Sequence, residues 1–317
     1  MQQLIIVLTH RCNLRCRYCP VLHNSATINY NTAIIAIDLF LNGQDRKYLI
    51  KFSGGEPLLE FTLLKDIVIF ARNKGLKLNK SVQFQITTNG ILLNDAVINF
   101  FKKSKDIELI VSLDGSRNTQ LKNRISVDKK LNSSDSIIFQ KQKILSIPRV
   151  IINMVVAPNE VKKFYRNFLY ILKLDFCRFI FLPAYFVYWN KEKINKLKKE
   201  FCRIAEFISK NKNRINIYVK NLDLISPAPL FNSGLVIDCN GDVFSDNLVL
   251  SQRFAYLRRQ LRVGNIKDFS FKPFFFRQSI DINHLIDRVT PKSILGSTRT
   301  VDRVLTDFVN RLKNETS

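Results

Sequence analysis

Apolar runs of strand length recur through the first 190 residues, at 4–8, 48–52, 82–87, 107–113, 150–156 and 178–182. Helical spacing fills the gaps. Asn31 is placed to cap 32–41. Residues 57–74 carry Leu58, Leu59, Leu63, Leu64, Ile67, Val68 and Phe70, with Gly75 as their stop. Asn94 is placed to cap 95–103, and 134–145 and 159–173 continue the series. Strands alternating with helices predict right-handed βαβ units and a parallel sheet. Six units fall short of an eight-fold barrel. The pattern alone admits an open doubly wound sheet or an incomplete barrel.

Beyond about residue 190 the texture changes. Residues 192–212 read as a basic amphipathic helix with Ile194, Leu197, Phe201, Ile204, Ala205 and Ile208 on its apolar side, and 215–219 as a strand. Asn240-Gly241 joins runs 235–239 and 242–245, a strong hairpin signal because both turn positions require positive φ. The aromatic cluster 269–276 and a closing helix near 300–312 are expected to be packing elements. This divides the chain into a core domain, 1–190, and a smaller α+β domain, 191–317.

With 317 residues, 46% of them hydrophobic, the chain can bury a sizeable core. No apolar run approaches the ~20 residues that span a bilayer. The first nine residues lack a basic flank and read as a buried strand, not a signal peptide, so a cytoplasmic protein without membrane association is expected. The charge is +24, from 50 Lys+Arg against 26 Asp+Glu. That admits a nucleic-acid partner. However, the basic stretches at 102–103, 196–199 and 210–214 read as solvated helix faces, so nucleic acid is not favoured.

Three of the six cysteines, Cys12, Cys16 and Cys19, fall within eight residues directly after the first strand. The carboxyl ends of parallel strands are where α/β proteins place their sites. Cys177, Cys202 and Cys239 are isolated, unlike a secreted disulfide framework. Three thiolates this close suit an iron–sulfur centre, and a four-iron cluster on three thiolates keeps one iron open for chemistry. A zinc site completed by His10 or His23, or three structural thiols, are the plainer alternatives. Zinc patterns usually supply a second Cys or His pair, and none follows here.

At Cys12, Cys16, Tyr18 and Cys19 the sequence resembles the radical S-adenosylmethionine (SAM) superfamily, whose signature is C-x₃-C-x-aromatic-C. The resemblance implies a partial (β/α)6 TIM-like barrel and one 4Fe–4S cluster. It also implies SAM, chelated at the open iron and split by one electron into methionine and a 5′-deoxyadenosyl radical. Three segments at strand ends extend it. Ser53-Gly54-Gly55-Glu56-Pro57 is similar to the motif that binds the SAM amino group. Thr87-Thr88-Asn89-Gly90 resembles a segment near the ribose and methionine moieties. Ser112-Leu113-Asp114-Gly115, with Arg124, resembles the segment that contacts the SAM carboxylate, although Gln120 replaces a customary His. Plain strand-end turns and a surface arginine would explain the same residues. Asn153-Met154-Val155-Val156 looks like a segment that packs on adenine.

The last third resembles, more faintly, the SPASM or twitch domains of peptide maturases, through 235–244 and 263–268. Only Cys239 of the auxiliary-cluster cysteines is present, so a domain without an auxiliary cluster is expected, with Cys239 a small packed residue. The resemblance therefore implies an oxygen-sensitive oxidoreductase that modifies a peptide or protein, with a flavodoxin or ferredoxin as electron donor. A small-molecule or RNA-modifying radical SAM enzyme, or a non-catalytic iron–sulfur module, are the alternatives. No catalytic acid or base is assigned. By position Tyr185, Tyr188, Trp189 and Asp238 are candidates, though packing explains the aromatics as well.

Overall fold

A ten-stranded sheet organises the chain in the computed structural model, which describes residues 2–223, 234–268, 286–287 and 290–316. Six parallel strands make its centre in chain order: β1 (Gln2–Thr9), β3 (Lys47–Gly54), β4 (Ser81–Thr88), β5 (Ile107–Ser112), β7 (Val150–Val156) and β8 (Arg178–Pro183). Two short strands, β2 (Leu14–Cys16) and β6 (Arg124–Ser126), pair only with each other. A doubly wound sheet reverses its strand order at a switch point. Here each central strand lies beside its successor, which is the arrangement of a partial TIM-like barrel.

The alternation of side chains along each strand separates two apolar regions. Leu4, Ile6 and Leu8 of β1, with Tyr48, Ile50, Phe52, Phe84 and Ile86, face the main core. That core takes its helical side from α1 (Tyr30–Leu41), α2 (Phe61–Lys77), α3 (Asp95–Lys103), α5 (Ser133–Phe139), α6 (Lys141–Leu145), α7 (Phe164–Leu172) and α8 (Lys191–Asn211). Ile5 and Val7 face the other way, into a second cluster with Phe244, Leu248, Phe254 and Leu257. The short helix α4 (Arg117–Asn123) precedes β6.

Helix boundaries differ from the sequence expectation in ways that local hydrogen bonding explains. Asn29, not Asn31, caps α1, its Oδ1 accepting from Thr32 N at 2.7 Å. Residues Pro57–Glu60 form a 3₁₀ turn before α2, which runs past Gly75 to Lys77; Asn79, at φ 53°, makes the turn instead. The run 134–145 is two helices that share Gln140 as boundary, the first capped by Asn132. A 3₁₀ turn, Val161–Lys163, likewise precedes α7. The strand expected at 215–219 shrinks to β9 (Tyr218–Val219), parallel to β8.

The later elements extend the same sheet. β10 (Leu235–Ile237) lies parallel beside β1, and the Asn240-Gly241 hairpin returns as β11 (Asp242–Phe244), which pairs with β12 (Arg262–Asn265). After the short α9 (Arg258–Leu261), the closing helix α10 (Lys292–Thr316) packs on α8, with the Phe201 and Phe308 rings 4.6 Å apart. The aromatic cluster 269–276 lies outside the described residues. No helix among the described residues is long and apolar enough to cross a membrane.

Candidate active site

The cysteine loop leaves the carboxyl end of β1 and is pinned on three sides. β2 pairs antiparallel with β6, setting Cys16 opposite Arg124. Gly55 N donates to Thr9 O at 2.7 Å and Glu56 N to Arg11 O at 2.8 Å. Asn89 Nδ2 donates to Asn13 Oδ1 at 2.7 Å. The two glycines are required by close packing: a Cβ on Gly54 would lie 2.2 Å from Thr9 O and one on Gly55 1.9 Å from Arg11 O. Their bareness lets the cysteine loop lie on the end of β3.

Cys12, Cys16 and Cys19 are free and partly buried. Burial pushes the Cys12 thiol up to about 11 and Cys16 up to about 12; charge on Cys19 raises both further, while Arg15 and Arg124 oppose. These are neutral thiols close enough to feel one another. Such a donor set fits a cationic metal centre, which takes thiolates and displaces their protons.

Glu56 is buried at the next strand end. Its Oε1 accepts from Thr88 Oγ1 at 2.7 Å and Leu58 N at 3.1 Å, and its Oε2 from Asn89 N at 2.7 Å. Burial nonetheless pushes its carboxyl up to about 6. Thr88 and Asn89 thus orient Glu56, and Asn89 also ties it to the cysteine loop. A carboxylate has about four acceptor positions; three are used by protein, leaving room for one cationic donor.

Asp114 sits at the end of β5 with no room left. Its oxygens accept from Arg124 Nε at 3.2 Å, Arg124 Nη2 at 3.0 Å, Val155 N at 3.1 Å and the Tyr18 hydroxyl. The Arg124 guanidinium also lies 5.4 Å from the Tyr18 ring centroid. The aromatic of the cysteine motif, the aspartate and the arginine therefore form one buried unit behind Cys16. Gln120 explains itself here. Its Oε1 accepts from Asp114 N at 2.8 Å, while its Nε2 donates to Ser112 O at 3.1 Å and Ser133 Oγ at 2.9 Å, binding the strand end to α5. Ser112 is buried beside it. Of the segment 153–156, expected near adenine, Met154 and Val156 belong to the main core under the helices, while Asn153 and Val155 are half-buried on the opposite face of the strand.

Residues 6–163 match the family model described as the radical SAM superfamily. This chain carries a radical SAM domain. It is 39% identical over 116 residues to an uncharacterised protein of Methanocaldococcus jannaschii, covering 36% of this chain and 39% of that protein. It is 27% identical over 198 residues to a cysteine-type anaerobic sulfatase-maturating enzyme of Clostridium novyi, covering 58% and 51%. These matches span well under two thirds of those relatives' own lengths. A probable GTP 3′,8-cyclase of Methanococcus aeolicus is 28% identical over 264 residues, covering 75% and 80%. Among solved structures, anSMEcpe with bound AdoMet superposes with a TM-score of 0.78 at 18% identity over 99% and 98% of the chains. Streptococcus suis SuiB bound to its precursor peptide SuiA gives 0.60 at 17% over 94% and 66%. Both share the fold.

Two cavities flank the cysteine loop of the radical SAM domain. One, of about 470 Å³, is lined by Tyr18, Cys19, Tyr185, Ser251 and Gln252 among others. The other, of about 410 Å³, is lined by Arg11, Cys12, Arg15 and His23. Of the residues singled out by position, Tyr185 lines the first cavity, with its hydroxyl on Asp302 at 3.3 Å. Trp189 is core, its Nε1 bonded to Ala184 O at 2.9 Å, and Tyr188 is exposed. Asp238 underpins the loop: it bonds His10 Nε2 at 2.6 Å and the Arg258 guanidinium. Burial opposes its charge, yet these partners hold the carboxyl down at about 2. Cys239 offers a third ligand atom within 4.8 Å of His10 and Asp238, but Arg258 already occupies the cationic position against that carboxylate. Sequence reading missed Asp246. It is buried, caps Leu248 N at 2.8 Å, and burial pushes its carboxyl up to about 7. Its motif position carried no signal, because nothing in the chain shows a buried carboxyl without a cation.

Proposed function

We propose that Cys12, Cys16 and Cys19 hold one 4Fe–4S cluster, and that Glu56, Thr88, Asn89, Ser112 and Arg124 form the cradle for SAM beside it. When bound, the cluster supplies one electron that splits SAM into methionine and a 5′-deoxyadenosyl radical, which abstracts hydrogen from the substrate. The observation that carries this reading is the direct mechanical link between the two halves of the site. The cysteine loop and the Glu56 carboxylate share hydrogen bonds through Gly55, Glu56 and Asn89.

Each residue has a task set by its remaining bonding capacity. Glu56 retains acceptor capacity for the SAM ammonium group. Arg124 spends two of its five donors on Asp114 and keeps the rest for a carboxylate. Asp114, fully bonded, orients Arg124 and Tyr18 and is a positioning residue. Gly54 and Gly55 serve the cradle by seating the loop. Asp246 holds the turn that follows it by capping Leu248 N, and the residues around that turn, Asn247, Ser251 and Gln252, line two of the cavities.

The substrate we assign is a peptide or protein. Support comes from the likeness in fold to SuiB with its precursor peptide and from the sulfatase-maturating relative. A one-electron donor of the flavodoxin or ferredoxin kind would feed the cluster, and a reducing, low-oxygen cytoplasm suits three free thiols. The match to a probable GTP 3′,8-cyclase covers more of the chain, so a nucleotide is the second reading. Isotope transfer separates them. Peptides encoded beside this gene, deuterated throughout, are expected to deliver deuterium into 5′-deoxyadenosine during turnover. Transfer from deuterated GTP, with none from any peptide, would replace the peptide reading with the nucleotide one.

A further inference from the structure

The inner face of the sheet carries a charged row that the cofactor cradle does not use. Strand register sets Ile5, Lys51, Gln85 and Glu108 side by side on β1, β3, β4 and β5. Their sequence neighbours Ile50, Phe52, Phe84, Ile86 and Leu109 face the helices, so these four point into the barrel. Glu108 is satisfied three times over. Gln85 Nε2 donates to it at 2.8 Å, Lys220 pairs with it at 2.9 Å and Arg149 at 3.7 Å.

Lys51 is the cation left over. Among the described residues its ammonium has no hydrogen-bond or ion-pair partner. Burial lowers its pKa, Lys220 lowers it further, and Glu108 opposes from a distance. An ammonium placed in low dielectric against another lysine gains from an anion. Lys51, Ser53, Gln85 and Thr87 line one cavity of about 220 Å³, with Ile5 and Asn247. Its rim adjoins the cradle: Ser53 precedes Gly54, and Thr87 precedes Thr88, whose hydroxyl bonds Glu56.

We propose that Lys51, with Ser53, Thr87 and Gln85, binds a carboxylate of the substrate inside the barrel, an Asp or Glu side chain, and so holds the neighbouring carbon beneath the SAM cradle. The source of the carboxylate rests on the peptide reading above. Sites for whole small molecules occupy roughly 300–1,000 Å³. This cavity is smaller, which suits one side chain rather than a nucleoside triphosphate.

Isothermal titration of the cluster-loaded, SAM-bound protein with glutarate tests this without turnover. Glutarate is expected to bind saturably. Lys51→Met should weaken it by about tenfold or more, the loss of a charge-assisted contact, whereas Lys102→Met, at an exposed lysine, should leave it unchanged. Neutral glutaramide should not bind. If Lys51→Met does not fold by circular dichroism, Thr87→Val supplies the test, with a loss of about threefold expected from one hydroxyl. Equal glutarate binding by wild type and variant, or none by either, overturns the proposal. Pyrophosphate bound tenfold tighter than glutarate through Lys51 also overturns it, in favour of a polyphosphate site. Lys51-dependent glutarate binding with no deuterium transfer from any peptide would leave the carboxylate site standing and remove the peptide reading.

Discussion

Gly55 and Asp246 illustrate opposite ways in which single residues constrain this site. At Gly55 there is no space: Gly55→Ala would drive a methyl into Arg11 O, 1.9 Å from the ideal Cβ position. Relief requires the cysteine loop to lift from β3. The expected cost is about 1–3 kcal/mol, as for overpacking, together with reduced iron per chain after reconstitution; calorimetry and iron analysis read both. At Asp246 the constraint is ionisation. Its carboxyl rises from 3.8 to about 7 in the folded chain, so the native state holds a proton that the unfolded state releases. Stability is therefore lost as pH climbs between those values, and the loss is complete above the upper one. Asp246→Asn keeps an acceptor for Leu248 N. It should raise stability by up to about 4 kcal/mol at pH 8 and by less than about 1 kcal/mol near pH 4. A gain that is the same at both would show that the carboxyl carries no ionisation cost. The residues assigned to the site stood out in the sequence because few residue types at fixed spacing define the motifs. Their bonding did not. Tyr18, Asp114 and Arg124, or Arg11 and Gly55, meet only once the sheet brings distant strand ends together.

At the scale of elements, hydrophobic runs located the central strands because β1, β5, β7 and β8 are largely buried on both faces, while β3 and β4 bury alternate residues against the helices. Helix ends were less legible. Asn29 and Asn31 are equally good caps in sequence, and only the side chain that reaches Thr32 N decides. Gln120 shows how one side chain can hold an element. It closes three bonds from α4, to the backbone of Asp114 and Ser112 and to Ser133 of α5. Gln120→Leu leaves those buried polar groups unpaired and should cost on the order of 2–4 kcal/mol. Because Arg124 follows α4 directly, SAM affinity should fall with it. The two measurements belong together: a stability loss with unchanged SAM binding would show that α4 does not position Arg124.

Across the whole molecule, the later segment joins the sheet of the radical SAM domain: β10 pairs with β1, the strand that delivers the cysteine loop. The sequence showed the Asn240-Gly241 hairpin but not this partner, since parallel pairing across more than two hundred residues leaves no local trace. At the other edge, α8 and α10 lock through Phe201 and Phe308, with Phe181 of β8 5.7 Å from Phe308. Phe308→Ala should cost about 3–5 kcal/mol, while a variant that still folds keeps its cysteine loop intact. The central claim concerns that loop and the electron it delivers. The most direct measurement is 5′-deoxyadenosine released from SAM by anaerobically reconstituted protein under dithionite, beside Cys16→Ala. The expected result is deoxyadenosine, with methionine, from the wild type and none from the variant. Deoxyadenosine from both, or from neither although a four-iron cluster has formed and a substrate has been supplied, would contradict the assignment of Cys12, Cys16 and Cys19 as the ligands of a SAM-cleaving cluster.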